Sequence, residues 1–146
     1  MSKIEKVLVT GKTHTTFSEA GRSARGLDIQ LSSPGSNKPV HTFNAIQPHP
    51  TAEQLFSGAW SACFIAAVEL VAKEMKVTLP AGLAVEIEVD LGQTGAAYFL
   101  QARLTTHLPG LDPEVASALV HAADQVCPYS KATRGNIDVA LKVVTD

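Results

Sequence analysis

TAEQLFSGAWSACFIAAVELVAKEM, residues 51 to 75, is the stretch that decides the architecture. Leu55, Phe56, Ala59, Trp60, Cys63, Ala66, Ala67, Leu70 and Val71 recur at three and four residues, the period of an α-helix. Thr51 followed three residues later by Gln54 fits a capping box, and Val77, Thr78 and Pro80 supply the stop. Phe64, Ile65 and Val68 are apolar too, so the helix is hydrophobic nearly all round until Glu69 and Lys73. Such a helix has to be buried.

Downstream, Ala84 to Leu91 (AVEIEVDL) alternates apolar and acidic residues in period two, which predicts a strand with one wet face. Tyr98 to Leu108 reads as its antiparallel partner across Gly92 and Gly95. Asp112, Pro113 and Glu114 open a second helix that runs to about Val126 and that Pro128 ends. Asn136 to Val144 alternates again as a closing strand. Upstream, Ile4 to Thr10 and Leu27 to Leu31 read as strands, joined by a small, polar, glycine-punctuated loop from Ser18 to Gly26 that carries Arg22 and Arg25. Ser32 to Pro50 holds four of the eight prolines and reads as turn, edge strand and turn. Strands and helices do not alternate as repeating βαβ units. The expected fold is therefore a single α+β domain over residues 1–146, mainly antiparallel, with the long apolar helix packed on sheet.

Composition narrows the function. With 12 Lys+Arg against 14 Asp+Glu, a formal charge of -2 and a pI near 6.2, the chain offers no basic footprint for nucleic acid or an anionic membrane. No run of eighteen apolar residues is present to span a bilayer, and MSKIEKVLVT lacks the apolar core of a secretory signal, so a reducing cytoplasm is expected. The charged fraction of 18% lies below the roughly 25% usual for soluble domains, which points to surface covered by a partner. Five histidines, at 14, 41, 49, 107 and 121, show no metal-ligand spacing, and no phosphate loop, dinucleotide fingerprint or serine-hydrolase elbow is found.

Chemistry is left to the two cysteines, too few for a disulfide framework. Cys63 lies mid-helix between Ala62 and Phe64 and, taken alone, reads as a core filler. Cys127 stands at a helix end before Pro128 and Tyr129, where its sulfur is positioned and not merely packed. The C-terminal end of a helix is electronegative and does not lower a thiol pKa. A nucleophilic thiolate therefore needs a cation, for which Arg22, Arg25 and Arg134 are the candidates. Glu53 can hold an arginine fork in a fixed orientation. At about 1.5 Å per residue, a straight helix separates Glu53 from Cys63 by roughly 15 Å, so a break at Ser57-Gly58 or a second chain is needed to join them.

The strings EQLFSGAWSACF (53 to 64) and QVCPYSKATRGNIDV (125 to 139), with KTHTT (12 to 16) and LPGL (108 to 111), resemble the organic hydroperoxide resistance (Ohr) branch of the OsmC/Ohr family over nearly the whole chain. The resemblance implies an OsmC/Ohr-like fold: an intertwined homodimer, its sheets packed around long central helices. It further implies a thiol peroxidase that reduces organic hydroperoxides, lipid-derived ones included, with dihydrolipoyl groups of dihydrolipoamide or a lipoylated protein as reductant and no bound cofactor or metal. By matching motif, Cys63 is the peroxidatic cysteine, Cys127 the resolving one, and Glu53 the residue that orients the catalytic arginine. The chain departs from the family at that arginine. The family's Gly-Gly-Arg-Asp-Gly loop is replaced by FSEAGRSARG, where anchoring on glycine-arginine selects Arg22, with Arg25 second, and counting from KTHTT leaves no arginine in place. Ala52 stands where the family usually has proline. Two alternatives remain: a redox-sensing or ligand-binding dimer of the same fold that does not turn over, and an OsmC-type peroxidase of different preference.

Overall fold

The computed structural model describes residues 3–17, 27–35 and 51–146. Its strands are β1 (Lys6–Phe17), β2 (Leu27–Ser32), β3 (Ala84–Thr94), β4 (Ala97–His107) and β5 (Asp138–Val144), and its helices are α1 (Ala52–Met75), α2 (Pro113–Val126) and α3 (Pro128–Thr133). The strands form one sheet in the order β2-β1-β3-β4-β5. All neighbours are antiparallel except β4 and β5, which run parallel. The fold is α+β, as expected. The parallel pair was not expected: β5 reaches β4 only after a crossover through α2 and α3, the long connection that parallel pairing requires. The second helix does end at Val126, as expected, but a further helix follows that was not: Pro128 occupies the first turn of α3, where its missing N–H is no loss.

Local rules account for most boundaries. Thr51 caps α1 by accepting from the Gln54 N–H at 3.1 Å, while its own N–H donates to Gln54 Oε1 at 2.9 Å. Lys76 ends α1 in the left-handed region at φ 57. Asp112 caps α2 through the N–H groups of Glu114 and Val115, with Pro113 following it. Gly95, at φ 58, begins the two-residue turn between β3 and β4.

The core lies between one face of the sheet and α1 with α2. Val85, Ile87 and Val89 of β3, Ala102 and Leu104 of β4, Trp60, Phe64, Ile65 and Val68 of α1 and Leu119 and Val120 of α2 are all buried in it. The opposite face of the sheet is polar. Arg103 grips Asp90 with both terminal nitrogens, at 2.6 and 3.0 Å, and reaches Glu88 through Nε at 2.8 Å. Lys12 and His14 each meet Glu86 at 3.0 Å.

Two expectations about α1 need correction. The helix runs unbroken through Ser57 and Gly58: the Ser57 hydroxyl donates back to the carbonyls of Glu53 and Gln54, and Gly58 is buried. Burial is also one-sided in the chain. Ala52, Leu55, Ala59, Ala66 and Leu70 form an exposed apolar stripe, with Leu55 and Leu70 58% and 52% exposed. By length and composition α1 could cross a membrane after all, but its other side is packed into the core, which explains the apolar character without a bilayer.

Candidate active site

Strand β1 positions α1. Thr13 and Thr15 point to the helix side, where Thr15 Oγ1 lies 2.7 Å from Ser61 Oγ and Thr13 Oγ1 donates to the Ser57 carbonyl at 3.4 Å. Gly11 lets strand and helix touch: a Cβ there would fall 2.5 Å from the Glu53 carbonyl carbon and 2.8 Å from its Cβ. The string GKTHTT therefore alternates helix-contacting with outward residues, and Ser57 and Ser61 answer it one turn apart. These contact residues escaped the sequence reading. Period-two small residues facing an i, i+4 serine pair were the available signal.

The same anchoring fixes Cys63, which α1 carries midway along its length at the margin of the exposed stripe, half-buried. Cys127 closes α2 and opens α3. Its N–H donates to Ala123 O at 2.9 Å and its carbonyl accepts from Lys131 N at 3.0 Å, so backbone on both sides is tied. The two sulfurs are 3.5 Å apart, near enough to interact and too far to be bonded. Their surroundings differ in the opposite sense to the reading of each alone: Cys127 is fully buried, and Cys63 is the thiol within reach from outside. Val126 and Tyr129, flanking the buried thiol, are 38% and 42% exposed.

Electrostatics at Cys63 is unfavourable as it stands. Burial pushes its thiol above the ordinary range and the Cys127 sulfur adds to this, against partial compensation from the Tyr129 backbone amide. Arg134, one of the candidate cations, is engaged elsewhere: its Nη2 donates to the Asp124 carboxylate at 2.7 Å and to the Asp124 carbonyl at 2.9 Å. Arg22 and Arg25 lie outside the described residues. Glu53 stands in the first turn of α1, half-buried beside Gly11. With the helix unbroken, no kink brings it toward Cys63. His41 and His49 also lie outside the described residues, and among those described no three His, Cys, Asp or Glu side chains are grouped to hold a metal ion.

Two adjacent thiols, one open and one sealed, can be oxidised to a disulfide and reduced again by a dithiol. Known proteins share this chain's pattern. A family model described as OsmC-like protein matches residues 44–142. An organic hydroperoxide resistance protein of Xanthomonas axonopodis pv. citri is 38% identical, covering 97% of this chain and 98% of its own length. Among solved structures, an organic hydroperoxide resistance protein from Elizabethkingia anophelis superposes with a TM-score of 0.65 at 31% identity, over 92% of this chain and 96% of that one. Organic hydroperoxide resistance protein OhrB of Bacillus subtilis gives 0.63 at 33% identity, over 90% and 96%.

Proposed function

Because the chain belongs to the OsmC-like family, in its organic hydroperoxide resistance branch, we propose that it is a cysteine-based peroxidase that reduces organic hydroperoxides, lipid-derived ones included, to alcohols. The observation that carries this reading is the pair of thiols 3.5 Å apart, of which only Cys63 is open to a substrate. The Cys63 thiolate attacks the distal peroxide oxygen, the O–O bond breaks, the alcohol leaves with a proton, and Cys63 becomes a sulfenic acid. Cys127 then attacks that sulfur, water departs, and a Cys63–Cys127 disulfide forms. A dihydrolipoyl group, free or on a lipoylated protein, reopens the bridge by thiol exchange and is itself oxidised to the cyclic disulfide. The cycle needs no bound cofactor or metal.

Burial raises the Cys63 pKa, so the first step depends on a cation, which is assigned to Arg22, with Arg25 as the second candidate. Glu53 orients that guanidinium. Since α1 is continuous from Ala52 to Met75, Glu53 and Cys63 stay apart along it, and a second chain is the other source of the carboxylate. The exposed stripe on α1 supports a homodimer in which a second copy covers Leu55 and Leu70. The cytoplasm, with its reduced thiols, is the compartment that suits a reversible disulfide.

Purified protein supplied with dihydrolipoamide, lipoamide dehydrogenase and an organic hydroperoxide is expected to consume NADH. Cys63→Ser abolishes this, and Cys127→Ser stalls after one oxidation. No turnover by the wild type would refute the peroxidase and favour the non-catalytic sensor, whose disulfide still forms. Turnover with a strong preference for another reductant would favour the OsmC-type alternative.

A further inference from the structure

One helical turn from each thiol, a second contact joins the same two elements. Trp60 precedes Cys63 by three residues on α1, which puts both on one side of that helix, and Ser130 lies on α3 three residues after Cys127, the residue that precedes that helix. Trp60 Nε1 donates to Ser130 Oγ at 3.2 Å, with Trp60 0% and Ser130 3% exposed. An indole N–H can only donate, and leaving it unpaired at such depth is costly. The Trp60 ring also meets Phe56, edge-on at 5.9 Å between centroids. Ser130 is equally fixed: its carbonyl accepts from Arg134 N and from Thr133 Oγ1, and the adjacent Lys131 N–H binds the Cys127 carbonyl at 3.0 Å. A displacement of Ser130 is thus passed to the Cys127 backbone. Packing alone does not set this contact, because a cleft of about 190 Å³, lined by Trp60, Ser130, Thr133 and Ile137 among others, adjoins it and leaves room to shift.

We propose that the Trp60–Ser130 hydrogen bond is a brace that positions the resolving thiol, holding α3 against α1 so that the Cys127 sulfur stays within reach of Cys63 once Cys63 has been oxidised. The inference rests on the thiol-peroxidase reading for its first step, and its subject is the second. Cys63 sulfenic acid and the Cys127 thiol give the disulfide and water. The rate of that step depends on how closely the two sulfurs are held, whereas Cys127 makes no bond in the attack on the peroxide and enters it only through the Cys63 pKa. Trp60 and Ser130 touch no reacting atom and act as positioning residues.

The test separates the two steps. Reduced wild type, Ser130→Ala and Ser130→Thr are mixed with one equivalent of an organic hydroperoxide, and Cys63 sulfenic acid, Cys63–Cys127 disulfide and Cys63 sulfinic acid are followed by quenching and mass spectrometry. Compared at a pH where Cys63 is thiolate in both proteins, Ser130→Ala is expected to form sulfenic acid at the wild-type rate, which also shows that it is folded. Its disulfide should close about tenfold more slowly, the scale of one buried hydrogen bond, with more sulfinic acid under excess peroxide. Ser130→Thr, which keeps the hydroxyl and has the cleft for its methyl group, should restore closure. Trp60→Phe removes the donor instead and should give the same defect, with no further loss in the double variant.

A second arm needs no peroxide. In a dithiothreitol redox buffer, loss of the brace should weaken the disulfide about tenfold, or roughly 30 mV. A wild type that ignores hydroperoxide would overturn the peroxidase reading alone, since this arm still reads the brace. Wild-type closure and potential in both Ser130→Ala and Trp60→Phe would overturn the brace.

Discussion

At the scale of single residues, the reactivity of Cys63 hinges on charge. Burial, reinforced by the Cys127 sulfur, holds its thiol above the ordinary value, so without a cation the thiolate fraction at neutral pH is small and rises with pH. A guanidinium brought close lowers the thiol pKa and moves the rise in rate to lower pH. Stopped-flow oxidation by an organic hydroperoxide across pH 5 to 10 should therefore show the Arg22→Ala profile displaced to higher pH, by about one unit or more if the contact is close. The same displacement in Arg25→Ala, with Arg22→Ala unchanged, would transfer the role. The motif strings made both cysteines legible in the sequence. Which thiol is open and which is sealed was not legible, because mid-helix and helix-end positions carry no information about what the sheet and α3 cover. Arg134 looked like a free cation for the same reason, since its partner Asp124 sits ten residues earlier on α2.

Among the elements, α1, the β3–β4 hairpin and the start of α2 could be read from sequence because caps, turn glycines and periodicity are local signals. Three features could not. The parallel pairing of β5 is decided by where α2 and α3 carry the chain. Cys127-Pro128 looks like a stop but lets a new helix start in another direction. Ser57-Gly58 looks like a break, yet the Ser57 hydroxyl bonds back along the helix and the Ser57 carbonyl accepts from Thr13 of β1. Continuity of α1 also gives meaning to Ala52, the first helical residue, preceded by Thr51 at φ -71 and ψ 159. That extended geometry is what a residue before proline adopts, and proline at the first helical position forfeits no helical hydrogen bond. Ala52→Pro is expected to raise unfolding stability by about 0.4 to 1 kcal/mol through the unfolded chain. Urea denaturation measures it, and a loss of stability would mean that the start of α1 differs from the one described.

For the whole molecule, the exposed stripe of α1 and the polar sheet face make separate predictions. If a second copy covers the stripe, Leu70→Glu places a charge in a dry interface and should shift sedimentation from dimer to monomer at micromolar concentration, whereas an unchanged dimer would locate the interface elsewhere. On the sheet, burial works against the Asp90 carboxylate, but hydrogen bonds from Arg103, Gln101 and Thr10 outweigh it and hold its pKa below the ordinary range; Glu86 is lowered likewise by Lys12 and His14. A carboxyl lowered in the folded state stabilises fully above its unfolded pKa of about 4, and this stability is lost as pH falls through the folded value. The urea midpoint of Asp90→Asn should thus lie below that of wild type at pH 7, and the gap should narrow toward pH 3. A gap independent of pH would remove the ion pair from the account. The pairing of the two thiols is tested most directly by peptide mapping after one equivalent of an organic hydroperoxide is added to the reduced protein. One Cys63–Cys127 disulfide per chain is the predicted product. Two free thiols, or Cys63 oxidised with Cys127 untouched, would contradict it.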